Sequence, residues 1–260
     1  MIYAWSLLSL ALYGAALYTL RSPTPEQSRP LTLCLTMLAL VGHAAVTHLV
    51  LFSDQVAQLS LVYVINVVAL VMISVVCLVS VRLPTTSLLL LVIPVAVFTL
   101  LCALLISPGK TETSDLSATL LVHITLSLAA YSALMLAACQ SVLLAVLERR
   151  LRAPEQQATS WLPPLETMER TLVAMLWIGL ILLTAAILTG FLFLEDMFAQ
   201  QVAHHIVITS LSWLVYAVFL AGRHLFGWRG LTAVRWTLVA FGLLVIGYLG
   251  SKFVLEYVLT

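Results

Sequence analysis

Six histidines, His43, His48, His123, His204, His205 and His224, are the side chains in this sequence best suited to hold a ligand. Imidazole nitrogens suit copper, zinc or haem iron, and haem iron needs only one or two axial ligands while its ring occupies an apolar slot. Spacing narrows the choice. His43 and His48 stand five positions apart, ~140° around a helix, so they do not share a narrow face. His204 and His205 are adjacent, about 100° apart on a helix, so one of them at most faces a given interior. No His-Glu-x-x-His, Asp-rich helix or Walker sequence occurs, and no serine or threonine has an evident base, so hydrolytic chemistry lacks its parts. Cys34, Cys77, Cys102 and Cys139 form no Cys-x-x-Cys pair. They read as small buried apolar residues, and not as a thiol-exchange or four-thiolate metal centre.

The elements that must position these histidines follow from composition. Of the 260 residues, 62% are hydrophobic and only 9% charged, with a mean hydropathy of +1.12. A soluble domain carries about 25% charge, so this chain uses lipid as its solvent. Runs such as SLLLLVIPVAVFTLLCALLI do not alternate with the period of two that a membrane β-barrel needs. A bilayer core of about 30 Å takes roughly 20 helical residues. Eight segments meet that length: 3–20, 31–52, 59–81, 86–106, 117–147, 168–194, 203–222 and 235–257. The expected fold is an all-α polytopic membrane helix bundle with eight transmembrane helices, forming a single integral membrane domain over residues 1–260. The first segment lacks a basic flank and a small-residue cleavage site, so it reads as a retained helix and not as a signal peptide.

Orientation follows from the basic residues. Arg21, Arg29, Arg82, Arg149, Arg150, Arg152, Arg170, Arg223, Arg229 and Arg235, ten of the twelve, fall on one side, and only Lys110 and Lys252 on the other. The positive-inside rule makes the first side cytoplasmic and sends both termini outward. Asp54, Glu112, Asp115, Glu195 and Asp196 then form a mildly acidic outer set. On this topology five of the six histidines lie in the outer half of the membrane, and His224 borders the cytoplasmic loop. His43 falls roughly 18 Å along the second helix, past the midplane, at about 1.5 Å per residue. His123 and the His204–His205 pair open the fifth and seventh helices. A buried imidazole is costly unless a hydrogen bond or metal satisfies it. The five outer histidines are therefore candidates for a ligand site, with helix–helix hydrogen bonding and interfacial placement as the alternatives.

Other polar groups fall on the same scaffold. Asn66 requires a partner on a neighbouring helix or a ligand. Pro94 interrupts the hydrogen-bond ladder of the fourth helix. Tyr131 follows His123 by eight positions, just over two turns, so the two share a face. Trp213 is a core aromatic of the seventh helix. In RHLFGWRGLTAVRW, Gly227 and Gly230 supply a tight turn, while Trp228, Trp236 and three arginines meet the headgroups. Pro163 and Pro164 break the chain before the amphipathic start LETMERTL.

Three stretches carry a family resemblance: VHITLSLAAYSALMLAACQSVLLAVLERRL, LETMERTLVAMLWIGLILLTAAILTGFLF, and HHIVITSLSWLVYAVFLAGRHLFGWRGLTAVRWTLVAFGLLVIGYLGSKFVLE. The chain resembles the cytochrome c assembly family of haem-handling membrane proteins, which includes the CcsA and CcmC types. It is most similar to the family's short eight-helix bacterial inner-membrane members. The resemblance covers residues 59–260, with Ser-Leu-x-x-Tyr after His123 and Gly-Trp-Arg-Gly at 227–230 as its most specific signals. It implies that His123 stands where the larger exporters have an external axial haem ligand, and that His43 stands near a further ligand in an early helix. Short members often carry a histidine where His204 stands, followed by lysine where His205 stands, which ranks His204 first of the pair. The exporters also carry an external tryptophan-rich segment ending in Trp-Asp-Pro-Lys-Glu-Thr-Trp. The corresponding stretch here, FLEDMFAQQVAHHIVITSLSW, has no such motif, and YLGSKFVLEYVLT carries no second external histidine.

The resemblance thus implies a protein of the bacterial cell inner membrane related to cytochrome c biogenesis. It would hold haem b non-covalently through His123 and an imidazole of His43 or His204, with Tyr131 lining the planar ring. Direct delivery to apocytochrome is not implied, because the presenting segment is missing. Expected partners are membrane lipid, haem and a cytochrome assembly component or other membrane protein; nucleic acid is not among them. The alternative is a non-catalytic accessory or regulatory subunit of another membrane protein such as a transporter. Whether the chain is an enzyme is left open, and proton-coupled transport lacks the acidic group inside a helix that it usually needs.

Overall fold

In the computed structural model the protein is described over residues 2–21, 25–52, 60–106, 117–152, 162–193 and 203–254. The acidic set at Asp54, Glu112, Asp115, Glu195 and Asp196, together with Lys110, lies outside the described residues. Lipid offers no hydrogen bonds to the backbone, so an apolar segment of this length satisfies its own amides as a helix. Helices α1 (Ile2–Leu20), α2 (Pro25–Leu51), α3 (Leu61–Ser80) and α4 (Leu89–Leu105, after a 3-10 turn at Thr86–Leu88) form a first compact unit. Helices α5 (Ala118–Leu151), α6 (Leu165–Phe193), α7 (Ala203–Phe226) and α8 (Leu231–Val245) form a second. Helix α8 continues through a π turn at Ile246–Gly250 to Ser251–Phe253. All eight spans are long and apolar enough to cross a membrane, and no strand occurs among the described residues.

Within each unit successive helices pack side by side and the fourth returns to the first, which makes two four-helix rings. Outward-facing leucines and valines, Leu78, Leu105, Leu192 and Val207 among them, are strongly exposed. Such a surface contacts lipid. The cysteines divide: Cys77 is buried as expected, whereas Cys34 is exposed on α2, where an apolar solvent tolerates a thiol.

Polar side chains inside the units close the backbone across helices. In the first unit Arg29 near the start of α2 donates to the carbonyl of Ser80, the last residue of α3, and at 3.0 Å to that of Leu83 in the turn that follows, which also accepts the Thr85 amide at 2.9 Å. The Ser80 carbonyl is one of those a helix end leaves without an intrahelical partner. Ser80 and Thr85 share a hydroxyl bond of 2.8 Å beside them. Helix α4 runs through Pro94 without a break in its span. In the second unit the Gln140 amide donates to Met168 O at 3.1 Å, Ser212 to Ala240 O at 2.7 Å, and Trp213 Nε1 to Thr184 Oγ1 at 2.8 Å.

The turn between α7 and α8 explains why α7 runs on to Phe226 and α8 begins at Leu231, earlier than the apolar pattern predicts. Gly227 and Gly230 both have positive φ, 69° and 57°, a region costly for any residue with a Cβ. The Gly227 amide closes α7 on Arg223 O at 3.1 Å, and the Val234 amide opens α8 on Gly230 O at 3.1 Å. Trp228 stacks on Trp236 with ring centroids 5.2 Å apart and lies against Gly222, where a Cβ would strike its indole. One carboxylate clamps the turn: Glu169 of α6 accepts the Gly230 amide at 2.8 Å and pairs with Arg223 at 3.7 Å. Arg223 in turn donates to Trp228 O at 3.2 Å. Glu169→Gln is expected to destabilise the protein by about 1.5–3 kcal/mol, the range for a hydrogen bond to a charged group. A lowered thermal midpoint in detergent checks this. Glu166→Gln, whose partner Arg170 is likewise exposed, should not move it.

Candidate functional site

Helix α5 begins with a capped first turn, Ser117 Oγ accepting the Leu120 amide at 3.2 Å. From that fixed start, His123, Ser127 and Tyr131 follow at four-residue intervals along one face, the arrangement the spacing of His123 and Tyr131 predicts. This face meets α6 and α7 at a cavity of about 80 Å³ that is partly open to the outside. Its polar lining is His123, Ser127 and Tyr131 from α5, with His205, Thr209 and Ser210 from α7. Leu183, Ile187 and Phe191 of α6 supply an apolar wall.

Each imidazole is tethered through Nδ1. His123 Nδ1 lies 3.2 Å from Thr189 Oγ1 of α6, and the carbonyl of Ala186 lies beside the same ring. His205 Nδ1 lies 3.0 Å from the Gly247 carbonyl in the π turn. The Tyr248 ring packs between His205 and Tyr131, at centroid distances of 5.6 and 5.2 Å. The hydroxyls of Tyr131 and Tyr216 are both buried without a hydrogen-bond partner among the described residues. The cavity therefore combines two imidazoles, one buried phenol and an apolar side.

His43 occupies the first unit, fully buried on α2. Its Nδ1 meets the Tyr13 hydroxyl of α1 at 3.1 Å, with the ring edges set nearly perpendicular. One turn further on, Thr47 Oγ1 lies 2.8 Å from the His43 carbonyl of its own helix and 2.7 Å from the Asn66 side-chain amide of α3, so Asn66 meets a neighbouring helix. His43 Nε2 and Asn66 Nδ2 have no hydrogen-bond partner among the described residues. His48, whose ring meets that of Phe52 at a tilt of 42°, and His224 are exposed. His204 lies on α7, but its side chain falls outside the described residues.

His205 is the cavity residue that sequence reasoning ranked second. A signal for it was present. His205, Thr209, Ser212 and Tyr216 recur at intervals of four, three and four, a polar stripe along one helical face.

Comparison with known proteins follows the same residues. The profile of the family described as "Cytochrome C assembly protein" matches residues 31–259, from within α2 onward. The chain belongs to the cytochrome c assembly protein family. The match takes in α2, which carries His43, as well as the cavity of the second unit. Among relatives, "Inner membrane protein YpjD" of Escherichia coli strain K12 is 27% identical over 259 residues, covering 98% of each chain. The protein of that name from Escherichia coli O157:H7 aligns to the same extent. The "Uncharacterized 28.8 kDa protein in nifR3-like 5'region" of Azospirillum brasilense is 30% identical over 141 residues, 53% of this chain and 52% of its own. No solved structure matches.

Family membership implies a haem-related role, and the residues can be tested for it. No group of three or more His, Cys, Asp or Glu poised for a metal ion occurs among the described residues. Haem iron asks for less, one or two axial ligands beside an apolar slot. His123 and His205, from different helices and beside the apolar residues of α6, are a donor set of that chemistry. The enclosed volume of about 80 Å³ is well below the roughly 300–1,000 Å³ of a small-molecule site. The cavity is open on one side.

Proposed function

We propose that this family member is a haem-associated protein of the bacterial inner membrane, serving cytochrome c biogenesis by holding haem b non-covalently. His123 would hold the iron together with an imidazole from another helix; His43 and His204 are the expectation from sequence, and the cavity geometry favours His205 from the same adjacent pair. The observation that carries the reading is that the Ser-Leu-x-x-Tyr helix, α5, turns His123 and Tyr131 into one cavity with an imidazole of α7.

Bound haem would supply the redox-active iron; the chain supplies two imidazoles, the apolar wall of α6, and a buried phenol at Tyr131 able to donate to a polar group of the guest. The helices exclude water from that side. The orientation given by the arginines puts the cavity in the outer half of the membrane and both termini in the periplasm.

Absorbance of the protein purified without added haem tests the proposal. A Soret band that is lost or shifted in His123→Ala is the expected result. A colourless, folded preparation that co-purifies with another membrane protein would replace it by the accessory-subunit reading, which the missing tryptophan-rich segment favours.

A further inference from the structure

Resting on that reading of the cavity, we infer that Thr189 and the Gly247 carbonyl are positioning residues: they place the proton of His123 and of His205 on Nδ1, leaving Nε2 of both rings as the lone-pair nitrogen. Neutral imidazole carries one N–H, and the nitrogen that keeps it cannot ligate a metal. Which nitrogen keeps it is set by the bond the ring makes at its other side.

For His123 the decision lies in Thr189. A hydroxyl has one proton. That of Thr189 is directed back into its own helix, with Ala185 O at 2.9 Å and Ala186 O at 3.0 Å. What Oγ1 offers the imidazole at 3.2 Å is therefore a lone pair, so Nδ1 must be the donor.

For His205 the decision lies in the π turn. The Ser251 amide there bonds to Tyr248 O, and the Gly247 carbonyl takes the Ser251 hydroxyl at 2.7 Å and His205 Nδ1 at 3.0 Å. A carbonyl accepts only, so this Nδ1 is also protonated. Thr209 Oγ1, at 3.5 Å from the same nitrogen, is the more distant contact. Glycine at 247 permits the approach: a Cβ there would stand 3.2 Å from Ile208 and 3.4 Å from Thr209 Oγ1 on α7. Single π turns inside helices recur at functional sites, and here the turn supplies an acceptor to a cavity histidine.

Two imidazoles from different helices thus present the same tautomer to one cavity by unrelated devices, a back-bonded threonine and a re-aimed helix carbonyl. The haem-free protein, labelled with 15N-histidine and held at about pH 8.5 where imidazole is neutral, tests this by long-range 1H–15N correlation. Histidine substitutions assign the signals. Both rings are expected as Nδ1–H tautomers. Thr189→Val, which removes the hydroxyl at nearly constant shape, should shift His123 to a mixture or to Nε2–H while His205 is unchanged; Thr189→Ser should restore it. In protein that takes up haem, Thr189→Val should weaken retention by about 10-fold, the lower end for lost partners of ligating histidines. His123 found as Nε2–H in the unmodified protein, or unmoved in Thr189→Val, overturns the inference. Nδ1–H tautomers with the expected Thr189→Val response in a protein that refuses haem would sustain the inference while removing the haem reading, so the two fail separately.

Discussion

His205→Ala is expected to lower haem retention by about 100-fold or more, while His204→Ala leaves it within error. Losing a hydrogen-bond partner of a ligating histidine already costs about 10–100-fold, so losing the ligand itself sets the upper end as a minimum. The contrast between neighbours comes from the register of α7. Thr209, Ser212 and Tyr216, which continue the face of His205, are 7%, 0% and 0% exposed. Val207, Leu211 and Val218, at three, seven and fourteen positions after 204, are 66%, 46% and 41% exposed. These three positions form an exposed register of α7 that follows from 204 at helical spacing. A Soret titration of each purified variant reads the difference, with His123→Ala as the positive control. Loss of colour in His204→Ala with retention in His205→Ala would move the ligand role to His204 and detach the cavity from haem.

Membrane spans were legible because lipid imposes one rule on every residue of a segment: about 20 apolar positions with their amides closed into a helix. All eight spans appear as expected, and their ends differ where local chemistry outweighs hydropathy. At the α7–α8 turn two glycines with positive φ stop and restart the chain within five residues, from Phe226 to Leu231, so both helices extend further than their apolar cores. The shared face of His123 and Tyr131 was legible for the same reason as any helical stripe. His205 stands second because short family members carry lysine at its position, a criterion that does not register the polar residues four, seven and eleven positions on that mark its face. The π turn left no mark in hydropathy, since a helix with one extra residue per turn buries the same apolar side chains. The Tyr13–His43 bond was equally hidden: it joins residues thirty positions apart, and nothing in either local sequence names the other. Of the motifs that carried the family resemblance, Ser127 and Tyr131 line the cavity, whereas Gly227–Gly230 is a clamped turn tied to Glu169.

Gly42→Leu is expected to separate α1 from α2 and lower the thermal midpoint of the protein in detergent. Helix association in lipid relies on close packing of small residues, because the tails are as apolar as the side chains. Helix α1 presents Ser6, Ser9, Tyr13 and Ala16 as its buried face. A Cβ at position 42 would overlap Ser9 Oγ and stand 3.3 Å from the Trp5 carbonyl, and that carbonyl cannot move without its helix. Overpacking of this kind costs about 1–3 kcal/mol, and here it also pulls on the Tyr13–His43 contact one position away. Gly42→Ala makes the argument quantitative. Its added methyl meets chiefly the Ser9 hydroxyl, whose own bond is only to Trp5 O at 2.9 Å within the same helix. Ser9→Ala should therefore be mild alone and should restore most of the stability lost in Gly42→Ala, giving a favourable coupling of about 0.5–3 kcal/mol in the double-mutant cycle. Strict additivity of the two changes would mean that α1 and α2 do not touch at this point, and the buried environment of His43 would then need another explanation.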